Sequence, residues 1–193
     1  MNLDQLINIL HNSFNKPLPG VQTHIELAPY RRKIEINHFG ESHKIASTLL
    51  LIYPKENELY FCLIERTEYE GTHSKQISFP GGRNENNETK VETAVRETKE
   101  EVGIDPSLIN VIGELTQVFV PPSNYLIHPF IGYCYSTPTF EADTVEVKTI
   151  IEVKINDLFK PNVIKKKKMS FGKKDLRYQM DIPYLDLNDR VVW

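Results

Sequence analysis

Residues 82–104 read GRNENNETKVETAVRETKEEVGI. The stretch joins a glycine-bearing loop to a segment with helical periodicity. Val91, Ala94, Val95, Thr98 and Val102 recur at helical spacing and make one apolar stripe. At about 100° per residue, Thr93, Arg96, Glu97 and Glu100 point away from that stripe, with Glu92 and Glu101 on its borders. Asn86 or Asn87 is expected to cap the start, because a short amide side chain accepts from free backbone N–H groups. Gly103 is expected to end the helix in a left-handed conformation.

Glu97 and Glu101 stand one turn apart, and Glu100 fills the gap. Three carboxylates in one turn repel each other. A chain keeps such a cluster when a hard divalent cation sits among them, and all-oxygen donors suit Mg²⁺ or Mn²⁺ better than zinc. Arg96 precedes Glu100 by four residues and is placed to hold it. The plain alternative is a solvated acidic face with Lys90 and Lys99 interspersed. The spacing of the surrounding residues decides against it.

That spacing is Gly82, five residues, Glu88, seven residues, Arg96-Glu97, then Glu100-Glu101 and Gly103-Ile104. It resembles the Nudix box, G-x5-E-x7-R-E-U-x-E-E-x-G-U, where U is a bulky aliphatic residue. All seven fixed positions match, and so does the last aliphatic. Thr98 departs at the first U, where its methyl can pack while its hydroxyl bonds back to the Ala94 carbonyl.

The resemblance implies an α/β fold, with a mixed sheet of α+β character in a Nudix-type α/β/α sandwich. It implies a hydrolase that cleaves the diphosphate of a nucleoside diphosphate linked to another group. Metal binding falls to Glu97, Glu100, Glu101 and the Gly82 carbonyl, and the cofactor is Mg²⁺ or Mn²⁺. The catalytic set is Glu97, Glu100, Glu146 and Arg96. Arg96 orients a helix carboxylate, and Glu88 pairs with Arg96 in a structural role. The general base stays open between Glu97 and Glu146. Glu141 and Asp143 are weaker options in a stretch expected to be mobile.

At 193 residues the chain reads as one domain with enough length for a core. A net charge of −3 argues against a general polyanion binder, so no nucleic-acid partner is expected. No run of eighteen apolar residues occurs, so no membrane span is expected. The opening MNLDQLINILHNSF carries Asp4 and lacks the basic start of a secretory signal. Leu3, Leu6, Ile7, Leu10 and Phe14 have helical spacing, and their face is expected to pack on its own domain. Cys62 and Cys134 sit in strand-like runs and read as core filler. With no disulfide signal, the expected location is the cytoplasm. A homodimer enters only by family analogy.

Residues 1–20 form an N-terminal amphipathic helix and linker, and 21–193 the Nudix domain. Strands are expected at 46–53, 59–65, 76–79, 110–120, 128–135 and 145–153, with a short helix from 155. Residues 163–171 and 176–182 read as a hairpin, and 24–37 show no clean period. Residues 181–184 (DIPY) and 191–193 (VVW) read as the approach to a closing helix, itself absent or truncated.

Residues 73–82 (HSKQISFPGG), with 63–66 (LIER), resemble the segment that marks coenzyme A pyrophosphatases within the Nudix family. Arg66, His73, Gln76, Phe79, Pro80, Gly81 and Gly82 match it by position. Residues 121–124 (PPSN), 129–132 (PFIG), 146–147 (EV) and 181–184 also resemble that subfamily. Gly71 stands where the subfamily has Arg, which removes a bidentate phosphate contact. Lys75 stands where it has Gly and offers only a point charge. The resemblance implies that Arg66, His73, Lys75, Phe79 and Gly81 bind substrate. That substrate would be coenzyme A or acyl-CoA, split into 4′-phosphopantetheine and adenosine 3′,5′-bisphosphate. The alternatives are a Nudix hydrolase for ADP-ribose, NADH or a related dinucleotide, or a non-catalytic nucleotide-sensing Nudix module. Lys165 to Lys168, with Lys173 and Lys174, form a basic run that is either a solvated hairpin tip or a contact for the 3′-phosphate.

Overall fold

An uninterrupted apolar run needs cover on both faces, and β1 (Lys44–Lys55) meets that need at the centre of a mixed sheet. The computed structural model describes residues 1–20, 23–24, 43–68, 76–85, 87–121, 123–171 and 178–192. The expected irregular stretch at 24–37 lies almost wholly outside them. β1 turns through Glu56 and Asn57, both at positive φ, into antiparallel β2 (Glu58–Arg66). On its other side β1 pairs in parallel with β7 (Tyr125–Tyr133). β3 (Ile77–Ser78) and β8 (Val147–Lys154) pair with β2, and β4 (Gly81–Arg83) with β1. β5 (Asn110–Glu114) and β6 (Val118–Val120) pair with β7.

Alternation along β1 sorts its side chains between two cores. Leu49, Leu51 and Tyr53 join Tyr60, Cys62 and Ile64 beneath Ala94 and Val102 of helix α2 (Lys90–Val102). Ile52, Phe61, Leu63, Ile131 and Val153 face the other way. There they meet Leu6 of helix α1 (Leu3–Phe14), which packs on its own domain as expected. Phe14 of α1 lies so close to Gly113 that a Cβ there would stand 2.7 Å from the ring. Helix, mixed sheet and the second covering layer make the expected sandwich. Both cysteines are buried free thiols, and burial pushes Cys62 up to about 12. Among the described residues, no helix is long and apolar enough to cross a membrane.

The expected strand at 110–120 is two strands, β5 and β6, separated by residues 115–117, where Leu115 N–H still donates to the Pro129 carbonyl of β7. The expected strand at 145–153 begins at Val147, since residues 144–146 form a turn. The hairpin is present and longer than expected: β9 (Ile164–Phe171) pairs with β10 (Tyr178–Leu187). Residues 181–184 lie inside β10 and Val191-Val192 inside β11 (Arg190–Val192). Along β10, Tyr178, Met180, Ile182 and Tyr184 alternate with Gln179, Asp181 and Pro183, a strand period rather than a helical one. Lys165 to Lys168 run along β9, which among the described residues is paired on one side only. Four cations on an open edge blunt pairing with another chain.

Candidate active site

The helix that carries the carboxylates starts one turn later than its asparagines suggested. Thr89, not Asn86 or Asn87, is its N-cap, in a capping box with Glu92. The Thr89 N–H donates to Glu92 Oε2 at 2.7 Å, and Glu92 N–H donates to Thr89 Oγ1. The T-x-x-E signal at 89–92 was present in the sequence. Asn86 lies outside the described residues. Gly103 ends the helix at φ 76°, as expected, its N–H donating to the Lys99 carbonyl.

The buried side of α2 is Thr93, Ala94, Thr98, Glu101 and Val102, while Val91 and Val95 are only partly covered. Thr93 was expected to point away and does not. Its hydroxyl accepts from Asn84 Nδ2 at 2.7 Å and lies 2.9 Å from Glu88 Oε1, so its polarity is satisfied inside. Thr98 bonds back to the Ala94 carbonyl at 2.7 Å, as its sequence position implied.

Glu101 is 2% exposed. Its two oxygens accept from the Gly81 N–H and from Arg66 Nη1, both at 2.8 Å. Burial pushes its pKa up to about 7; the Gly81 N–H and Arg66 oppose that rise, and the charges of Glu97 and Glu146 add to it. Arg66 ends β2 and also donates to Glu146 Oε2 at 3.1 Å. The backbone beside Glu101 is close-packed. A Cβ on Gly81 would lie 2.3 Å from the Ser47 carbonyl, and one on Gly82 would lie 2.4 Å from the Glu97 carboxylate. The two glycines thus let β4 slide between β1 and α2. Glu97 is largely buried, which raises its pKa against the pull of Arg96.

Arg96 grips Glu88 through Nε and Nη2, at 3.0 and 2.9 Å. Its Nη1 reaches Glu97 at 3.0 Å and Glu100 at 2.7 Å. Two guanidiniums therefore tie together five carboxylates. Arg96, with the Glu85 N–H and Thr93, holds the Glu88 carboxyl down at about 2. A depressed carboxylate stabilises the fold above its unfolded pKa, and that stability is lost as pH falls through its folded value. Glu88→Gln is expected to cost about 1–3 kcal/mol near neutral pH, a deficit that shrinks from about pH 4.5 downward and closes near pH 2. Thermal melts of both proteins across that range check it.

Glu146 sits on the segment between β7 and β8. That segment is bonded to the end of α2, contrary to the mobility expected of it. Glu141 N–H donates to the Val102 carbonyl at 3.0 Å and Asp143 N–H to the Glu101 carbonyl at 3.1 Å. The Asp143 carboxylate accepts from Val145 N–H at 2.8 Å, so it serves its own loop.

The fold thus gathers Arg66, Gly81, Gly82, Arg96, Glu97, Glu100, Glu101 and Glu146. It does not bring Phe79 to them. Phe79 packs in the other core, its ring 6.1 Å from that of Phe61. His73 and Lys75 lie outside the described residues. The donor set is all oxygen, which fits a hard cation chemically. Among the described residues, no three Asp, Glu, His or Cys side chains converge as they lie into a ready coordination set; Arg66 and Arg96 hold the carboxylates instead.

Residues 43–177 match the NUDIX domain. The chain belongs to the Nudix family. It is 26% identical over 144 residues to Nudix hydrolase 3 of Caenorhabditis elegans, covering 73% of this chain and 58% of that one. It is 27% identical over 154 residues to the chloroplastic Nudix hydrolase 22 of Arabidopsis thaliana, covering 78% and 50%. The chain therefore spans little more than half the length of these relatives. Among solved structures, a Caenorhabditis elegans Ap4A hydrolase superposes with TM-score 0.50 at 16% identity, over 60% of this chain and 83% of that one. The Nudix domain of Shewanella oneidensis NrtR, solved with ADP-ribose, gives 0.50 at 14%, over 67% and 84%. At such identities the likeness is one of Nudix fold.

Proposed function

We propose that this Nudix domain hydrolyses the diphosphate of a nucleoside diphosphate derivative, with coenzyme A or acyl-CoA as the substrate. The observation that carries the reading is the buried Glu101, held by Gly81 and Arg66 beside the Glu97 that lies on Gly82. Burying a carboxylate is costly. A fold with no use for negative charge there would place an apolar side chain instead. Glu97, Glu100, Glu101 and the Gly82 carbonyl would hold Mg²⁺ or Mn²⁺. Such a cation supplies charge neutralisation at the diphosphate.

The chain's own residues do the rest. Arg96 fixes the rotamers of Glu97 and Glu100 from one side. Arg66 presents a planar guanidinium at the mouth of the cluster, suited to phosphate oxygens. Glu97 takes the proton of the attacking water, and Glu146 faces solvent where it helps steer that water. The coenzyme A assignment draws on the matches at Arg66, Gly81 and Gly82, and Phe79 has no direct role in it.

The test is phosphate release from a panel of coenzyme A, ADP-ribose, NADH and diadenosine polyphosphates with Mg²⁺ or Mn²⁺, coupled to a phosphatase. Coenzyme A is expected to be turned over best. Turnover of another member alone would replace the substrate, and turnover of none would favour a sensor. Lys166 and Lys167 test the nucleotide end. Replacing both with Glu is expected to raise KM for coenzyme A about tenfold and leave dephospho-coenzyme A unchanged. Equal effects on both substrates would remove these lysines from the site.

A further inference from the structure

Two buried polar atoms have no hydrogen-bond partner among the described residues: Ser47 Oγ and His128 Nε2. Their residues are 0% and 1% exposed. An unmet buried polar atom is costly, and native folds rarely leave one without protein or water. These two are neighbours. Ser47 stands opposite His128 in the parallel pairing of β1 with β7, and opposite Gly82 in the pairing of β1 with β4. Gly82, Ser47 and His128 thus form one row across three strands, at steps of about 4.8 Å.

Alternation puts the row beneath α2. Ser47 shares its face with Leu49 and Leu51, and His128 shares its face with Phe130, all in the core that α2 covers. At the Gly82 end lies the Glu97 carboxylate. At the other end His128 Nδ1 is 2.6 Å from Glu114 Oε1, which also accepts from Gln117 at 3.2 Å. An ionised carboxylate only accepts, so Nδ1 carries the hydrogen toward Glu114 and Nε2 is the ring atom left without a partner among the described residues.

We infer that Ser47 and His128 hold one buried water between them, and that the chain from Glu114 through His128 and this water to Ser47 positions Glu97. The order of carboxylate, imidazole and hydroxyl is that of a nucleophilic triad. Complete burial of Ser47 rules out attack on a substrate, which leaves positioning. A water with donors and acceptors on both sides meets both orphan atoms. Ser47 is the strand partner of Gly82, on which the Glu97 carboxylate rests, and a small shift of that carboxylate is expensive in rate. The catalytic part of this inference rests on Glu97 acting as proposed above.

The first test is a high-resolution crystal structure of the full chain. A water within hydrogen-bonding distance of both atoms is expected; a dry site, or direct Ser47–His128 contact, overturns the inference. The second is a thermal double-mutant cycle. Ser47→Ala and His128→Phe are each expected to lower Tm by roughly 2–10 °C, and the double variant by clearly less than their sum. Additive losses overturn the shared water. If the double variant does not fold, the crystal structure decides. The third is kinetics: folded Ser47→Ala is expected to lose about tenfold in kcat with KM within about twofold. Unchanged kcat overturns the positioning role. If the wild-type protein turns over no substrate, the proposed function fails, while the water and the Tm cycle still judge this site.

Discussion

Glu97→Gln is expected to lower kcat by about 10²–10⁴-fold, and Glu146→Gln by no more than about tenfold. The two carboxylates sit in opposite circumstances. Glu97 is packed onto Gly82 with no room for a Cβ between them, and Arg96 fixes its Oε1 at 3.0 Å. Gln keeps the shape and the Arg96 neighbour but removes both the charge and the proton acceptor. Glu146 is 54% exposed and its partner is Arg66 at 3.1 Å. Its removal leaves Arg66 on Glu101, so the buried carboxylate stays paired. Steady-state kinetics on the best substrate of the panel separates the two. The reverse ranking would move the base to the loop, and two near-wild-type variants would remove the scheme altogether.

Gly81→Ala is expected to lower Tm by roughly 5–15 °C. Two costs add. The residue has φ 155°, a conformation that side chains other than glycine's rarely adopt, and such strain costs about 1–3 kcal/mol. Its Cβ would lie 2.3 Å from the Ser47 carbonyl and 2.6 Å from Thr48 Cα, both backbone atoms of the central strand. Overpacking of that kind costs about 1–3 kcal/mol more, and each kcal/mol is worth about 2–4 °C in a chain of this size. The shift also moves the N–H that Glu101 needs. Gly82→Ala makes the contrast, because its Cβ meets the carboxylate of Glu97 rather than backbone. It is expected to spare more of the stability and cost more of the rate. Calorimetry and kinetics on the two variants check the pair.

Much of this site was legible because its residues come from one helix and the loop before it. A fixed spacing on a helix fixes direction, so Glu97, Glu100, Glu101 and Arg96 could be placed from the sequence. Hydrophobic periodicity failed by one position at Thr93 and Glu101. There, specific polar partners, Asn84 with Glu88 and Gly81 with Arg66, make burial tolerable. Periodicity counts only oil and water and cannot see such partners. Residues 181–184 and 191–193 were read by analogy as the approach to a helix, and 181–184 and 191–192 themselves lie in strands. Phe79 was assigned by its place beside Pro80-Gly81. Phe79 follows β3 and packs with Ile77 in the far core, against Phe61.

The loop that bears Glu146 hangs from the final turn of α2 by two backbone bonds, at the Val102 and Glu101 carbonyls. The same loop is held a second time just after β2, where Thr67 N–H donates to the Glu146 carbonyl at 3.0 Å and its hydroxyl to the Val145 carbonyl at 2.8 Å. Helix ends are the first places to fray. Whatever loosens that turn, whether warmth, denaturant or a substitution at Gly103, unseats Glu101 first, while Glu146 stays tied beside Arg66 through Thr67. Activity would then fall while the strands beneath still protect their amides from exchange.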